Sequence, residues 1–338
     1  FYMQEAKDLL QLLRTPRNIV VTSHRNPDGD AIGSSLALKS VLEKKFHNVK
    51  VVLPSEYPFD VAWLEGIDDI IIYDRDQGRA TDAIAAADVV FCLDYNSLSR
   101  VDKVGEAIAA SGARIVLIDH HLYPENFADI SISDYEVSST CELVYEVCKT
   151  LGWVNDLTVQ ALEALLVGII TDTGSFKYSF SPKTLVNTSE IIRLGGDMVY
   201  VQDKLFNHLP EKSLRLLGHC LSKRMVIYPD KKAGLIFLSK KDYIDFNIQR
   251  GDTEGIVNHL LALDDVNVAA FITEQPTIIK ISLRSKGAFS VQQMASEYFK
   301  GGGHKNASGG SYYGSLKSAI SRFEEAVDKY KEEIIHSY

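Results

Sequence analysis

Five short runs rich in Val and Ile, at residues 19–23, 49–53, 70–73, 89–94 and 115–119, recur through the first half of the chain, each followed by a segment with helical character. Strands so uniformly apolar cannot keep one face in water. They predict a mostly parallel sheet covered by helices on both sides, the α/β arrangement in which function collects at the carboxyl ends of the strands. From 138 to about 224 the pattern is helical, with Ser138, Asp156 and Ser181-Pro182 as start signals and Gly152 and Gly195-Gly196 as stops. Strand-like runs return at 234–238, 268–273 and 277–283, before a final helix over 316–334. The expected organisation is therefore two α/β domains, 1–190 and a smaller 225–338, joined by a helical connector over 191–224.

The polar residues that end these runs carry the chemistry. After the first run, Ser23-His24-Arg25-Asn26-Pro27-Asp28-Gly29-Asp30 places an imidazole and two carboxylates at a strand-to-helix turn. Aspartates that close repel one another, and a divalent cation converts the repulsion into coordination. A capped, acidic helix start would explain the aspartates but not His24. The fourth run ends in Leu93-Asp94 and the fifth in Ile118-Asp119-His120-His121, so acid and imidazole groups are delivered to the same edge of the sheet. Asp94 alone could be a turn residue. In Ile170-Thr171-Asp172-Thr173-Gly174, Asp172 could likewise be a helix terminus; together with the other clusters it supplies a further carboxylate to one site.

Composition narrows the partners. With 36 Lys and Arg against 45 Asp and Glu, the net charge is -9, and no basic stripe interleaved with aromatics is present, which argues against a protein that wraps long nucleic acid. A small phosphorylated substrate is compatible with that charge, because metals or a few cations can reverse the field in one cleft. The 4 cysteines lack CxxC spacing, so a zinc ribbon or disulfide framework is not expected. The most apolar stretch, 161–170, is broken by Glu163 and falls short of the roughly 20 residues a membrane span needs. Residues 1–13 show no signal-peptide pattern. A cytoplasmic protein without membrane partners is the expectation.

His24-x3-Asp28-x-Asp30, Asp94, Asp119-His120-His121 and Asp172 together resemble the four motifs of the DHH-family phosphoesterases, and Gly301-Gly302-Gly303-His304-Lys305-Asn306-Ala307-Ser308-Gly309-Gly310 resembles the signature of the family's associated C-terminal domain. The resemblance implies one metal on His24, Asp28 and Asp94 and a second on Asp30, Asp94, His120 and Asp172, with Asp94 shared. It implies Mn(II), which the oxygen and imidazole donors suit without excluding Mg(II), Co(II) or Fe(II). Asp119 would orient a ligand histidine and His121 would face the substrate; His121 and Arg100 are candidates to meet charge on the phosphoryl group. In the second domain, Gly302, Gly303, His304 and Arg284 would bind another phosphate. Held across a cleft between domains, such a clamp would measure substrate length.

The arrangement resembles the bacterial subgroup that degrades RNAs of a few nucleotides and dephosphorylates 3'-phosphoadenosine 5'-phosphate. A soluble phosphodiesterase of cyclic di-AMP or its linear product pApA is the alternative within the enzymes. From another class comes a catalytically silent nucleotide sensor, against which the intact ligand set argues. Pairing of two chains as a homodimer is left open.

Overall fold

The computed structural model describes residues 3–177, 179–249, 251–303 and 305–338. The chain divides into two compact units, 1–208 and 209–338. In the first, the helix α1 (Met3–Leu12) precedes β1 (Asn18–Ser23), α2 (Gly29–Lys44), β2 (Asn48–Leu53), β3 (Ile71–Ile72), α3 (Gln77–Ala85) and β4 (Val89–Leu93). There follow α4 (Asp102–Ala110), β5 (Arg114–Asp119), β6 (Ile130–Ser133), α5 (Thr140–Thr150), α6 (Val159–Thr173), α7 (Pro182–Arg193) and α8 (Met198–Phe206).

Among the described residues the strands of this unit form one sheet in the order β3-β2-β1-β4-β5-β6, with every pairing parallel. The expected α/β fold is present. One face is covered by a core in which Ile32, Leu36, Val144, Leu165 and Ile169 pack on Val21, Phe91 and Ile118; on the other face Ile84, Val104 and Ile108 pack on Val20, Val90 and Leu117. Two-sided burial is why the strands read as unbroken apolar runs. From β1 the sheet extends through β2 one way and through β4 the other, so the direction of strand order reverses between β1 and β4. That reversal opens a crevice at the strands' carboxyl ends.

The second unit contains α9 (Glu211–His219), β7 (Met225–Tyr228), β8 (Ala233–Leu238), α10 (Lys240–Asp245), β9 (Val268–Glu274) and β10 (Ile279–Ser285). It continues with α11 (Val291–Phe299), β11 (Gly302–Gly303), β12 (Ala307–Tyr312), α12 (Leu316–Lys329) and α13 (Lys331–Ile335). Its sheet runs β11-β12-β10-β9-β8-β7, antiparallel except for the parallel pair β8 and β9. Met294, Phe299, Phe323 and Val327 bury one face of it, and Leu216, Ile256 and Leu260 bury part of the other.

Three features depart from the sequence expectation. β6, Ile-Ser-Ile-Ser, is an edge strand whose alternation is too short to stand out. The final helix breaks at Tyr330. The glycine-rich segment is strand on both sides of residue 304, pairing Gly302 with Gly309 and Gly303 with Ser308. A Cβ at Gly301 would overlap the Gly309 carbonyl oxygen, and one at Gly310 would lie 2.6 Å from the Phe299 carbonyl oxygen, so the glycines let the hairpin close against the end of α11. Among the described residues no helix is long and apolar enough to cross a membrane.

Candidate metal centre

The register of β1 against β4 pairs Ser23 with Leu93, so His24 and Asp94 leave neighbouring strands side by side at the crevice. Asp94 turns at a left-handed φ of 64° and keeps its N–H on the Ile118 carbonyl at 3.2 Å. Its Oδ2 lies 3.3 Å from Nε2 of His24, and its Oδ1 lies 3.5 Å from Nε2 of His120, which follows β5. His24 places Nδ1 2.9 Å from the Arg25 carbonyl oxygen. In the neutral ring Nδ1 then carries the proton, and Nε2 presents its lone pair toward the acids.

Asp28 caps α2, its Oδ1 accepting the N–H groups of Asp30 and Ala31 at 3.1 Å, while Oδ2 faces His24 Nε2 at 3.8 Å. Asp30, in the first turn, is fully buried. Both its oxygens accept backbone N–H groups from the start of α5, Thr140 at 2.6 Å and Cys141 at 2.8 Å. Asp172 comes from the last turn of α6, with Oδ2 3.4 Å from His120 Nε2. The helices α2 and α6 approach closely enough for this because Gly29, Gly33 and Gly168 line the crossing; a Cβ at Gly33 would overlap the Ala164 carbonyl oxygen, and one at Gly168 would overlap Asp30 Oδ1.

Ligand-type atoms therefore gather in three overlapping groups, each within 4.8 Å: His24, Asp28 and Asp94; Asp94, His120 and His121; Asp30, His120 and Asp172. Burial and the neighbouring Asp94 push the Asp30 carboxyl up to about 7, and burial with Asp30, Asp28 and Asp94 drives Asp172 well above the usual range. Burial disfavours charge on His24, but Asp28 and Asp94 outweigh it and push its pKa up to about 11. His120, likewise buried, is pushed up to about 9, first by Asp94. Burial also opposes the Asp94 charge, yet His120 and His24 hold it well below the usual carboxylate range. The crowded carboxylates and imidazoles fit divalent metal ions with oxygen and nitrogen preference.

The remaining predicted residues fall as follows. Asp119, fully buried, holds His121 Nδ1 at 2.7 Å rather than a nitrogen of His120. His121 Nδ1 also lies 3.7 Å from Asp94 Oδ1. Arg100 sits half-buried in the 3-10 turn Leu98–Val101, its carbonyl accepting the Arg25 N–H at 2.9 Å. Arg284 is the penultimate residue of β10, opposite Ala307, and Gly302 and Gly303 form β11; His304 lies outside the described residues. Thr140 and Cys141 were not foreseen. Their only sequence signal is the run Ser138-Ser139-Thr140, which reads as a helix cap.

Similarity to known proteins bears on this geometry. A crystal structure of an exopolyphosphatase-related protein from Bacteroides fragilis is 40% identical, with a TM-score of 0.96 over 98% of each chain. A probable bifunctional oligoribonuclease and PAP phosphatase NrnA from Streptococcus mutans is 28% identical over 314 residues, covering 92% of this chain and 94% of that one. The cyclic-di-AMP phosphodiesterase PdeA of Listeria monocytogenes is 27% identical over 336 residues, 95% of this chain and 49% of its own length. Residues 18–169 match the DHH family, N-terminal domain, and residues 236–335 match the DHHA1 domain. With both domains in sequence, and with the motif residues of the first gathered at the carboxyl edge of its sheet, the chain belongs to the DHH family.

Proposed function

We propose that this chain is a metal-dependent phosphoesterase that hydrolyses very short oligoribonucleotides and 3'-phosphoadenosine 5'-phosphate. The observation that carries the reading is the placement of Asp94, whose two oxygens face His24 on one side and His120 on the other. The similarity to the NrnA protein over nearly the full length of both chains supports the substrate class.

His24, Asp28 and Asp94 would hold one ion and Asp30, Asp94, His120 and Asp172 a second, with Mn(II) the first choice. Divalent ions held by these residues would supply Lewis acidity that activates a water as nucleophile and offsets charge on the phosphoryl oxygens. The side chains do the rest. Asp119 anchors His121 through Nδ1 and so orients its ring beside Asp94, from where the imidazole donates to a phosphoryl oxygen. Arg100, at the turn beside Arg25, adds positive charge. In the second unit Arg284 would take a further substrate phosphate through its forked donors, assisted by backbone N–H groups of Gly302 and Gly303 and by His304.

The test is a product time course with Mn(II) on 5'-phosphorylated di- to pentaribonucleotides, 3'-phosphoadenosine 5'-phosphate, cyclic di-AMP, pyrophosphate, polyphosphate and a long single strand. Preferential loss of the shortest RNAs and the bisphosphate is expected, with activity removed by a chelator and restored by Mn(II). Faster opening of cyclic di-AMP would move the protein to the signalling reading that its similarity to PdeA suggests. Nucleotide binding without turnover at any metal concentration would make it a sensor.

A further inference from the structure

One turn of helix reaches two buried acids of the site, Asp30 and Asp94. α5 begins at Thr140, capped by Ser139, whose Oγ accepts the Glu142 N–H at 3.1 Å. The Thr140 N–H donates to Asp30 Oδ2 at 2.6 Å, and its hydroxyl donates to Asp94 Oδ1 at 3.1 Å. Asp30 takes a second backbone N–H, from Cys141, so its orientation does not depend on any side chain of α5. Asp94 differs. Its other close partners are the imidazoles of His24, His120 and His121.

The imidazoles of His24 and His120 cannot hold Asp94 once they serve as ligands, because a nitrogen lone pair turned to a metal no longer donates a proton to a carboxylate, and His121 Nδ1, 3.7 Å away, is taken by Asp119. The hydroxyl of Thr140 is a neutral donor that survives the exchange. It is needed because the terminal torsion of an aspartate is broad and roughly two-fold, so an unrestrained carboxylate would swing its oxygens away from one side or the other. The turn that carries Thr140 is itself fixed. Glu142, fully buried, accepts the Ser138 N–H at 2.8 Å, the Ser138 hydroxyl at 2.7 Å, the Thr184 hydroxyl at 2.9 Å and the Asn187 side-chain N–H at 2.9 Å, which ties the turn to α7.

We infer that Thr140 is a positioning residue of the metal centre: its hydroxyl sets the rotation of the Asp94 carboxylate so that one oxygen faces His24 and the other His120. It thereby decides whether two ions are held as a pair. The inference rests on the two-ion reading proposed above.

The experiment titrates the full chain with Mn(II), reading stoichiometry and affinity by calorimetry and the exchange-coupled spectrum of a Mn(II) pair by electron paramagnetic resonance. In Thr140→Val, isosteric but without the hydroxyl, the second ion should bind at least about tenfold more weakly, the range expected when a group orienting a ligand is removed. The coupled signal should be lost, and kcat should fall more than KM rises. Thr140→Ser should restore all three. If circular dichroism shows Thr140→Val to be unfolded, Thr140→Ala is measured instead. Wild-type coupling in a folded hydroxyl-free variant, or failure of Thr140→Ser to restore it, overturns the inference. A wild-type protein that never shows a coupled pair overturns the two-ion reading and this inference with it.

Discussion

The His121 ring is anchored to Asp119, with Nδ1 2.7 Å from a carboxylate oxygen whose residue is fully buried at the end of β5. The other oxygen of Asp119, Oδ2, has no hydrogen-bond partner among the described residues. The acid is therefore committed to the imidazole, and it fixes the proton on Nδ1. Asp119→Asn should lower kcat by about 10- to 100-fold while Mn(II) stoichiometry stays unchanged, because a neutral amide holds the His121 ring less firmly than the carboxylate does. Steady-state kinetics beside a metal titration checks this, and unchanged kcat would leave His121 without a role set by Asp119.

Gly168 tests the helix crossing. Its Cβ position is occupied by Cys141 Sγ and Asp30 Oδ1, so Gly168→Ala should cost about 1–3 kcal/mol in a denaturant titration and weaken Mn(II) binding by moving Asp30. Gly218, in α9, has nothing within 4 Å of its Cβ position. Gly218→Ala should stabilise by about 0.5–1 kcal/mol, the backbone-entropy gain in a helix interior. Equal effects at the two sites would show that the crossing is not tightly packed.

Arg284→Ala should raise KM by about tenfold or more with little change in kcat if the guanidinium binds substrate and transition state alike. Michaelis kinetics on a dinucleotide decides. A fall confined to kcat would assign Arg284 to the transition state instead.

Asp242 supplies a pH dependence in the second unit. Arg224 contacts it at 2.9 and 3.0 Å, His219 at 2.8 Å, and the Ser239 N–H and hydroxyl at 2.9 and 2.8 Å. Burial works against its charge, but these partners hold its carboxyl well below the usual carboxylate range. A depressed folded pKa contributes stability that is complete above the unfolded value, near pH 4, and is lost as pH falls below it. Melting followed from pH 6 downward should show this loss in the wild type. Asp242→Asn should flatten the dependence and cost about 3 kcal/mol at neutral pH. An unaltered acid limb would remove Asp242 from that role.

Much of the first unit was legible in the chain. Two-sided burial makes the strands around Val21, Phe91 and Ile118 continuous apolar runs, and the residues that follow such strands must lie at one edge, so His24, Asp94 and His120 could be named from order alone. Strand β12 was not legible, because Ala-Ser-Gly-Gly-Ser-Tyr owes its extended form to pairing with β10 rather than to its own propensity.

What the sequence determined by itself was the inventory of donors, the period of each element and the turn at the end of each strand, all of which arise from residues within a few positions of one another. Tertiary structure alone decided that β1 lies beside β4, that Asp119 holds His121 rather than His120, and that Thr140 reaches Asp30 across 110 positions of chain. Those relationships depend on how apolar faces pack and on which buried polar groups must find partners, and neither condition exists until the whole unit has closed on its core.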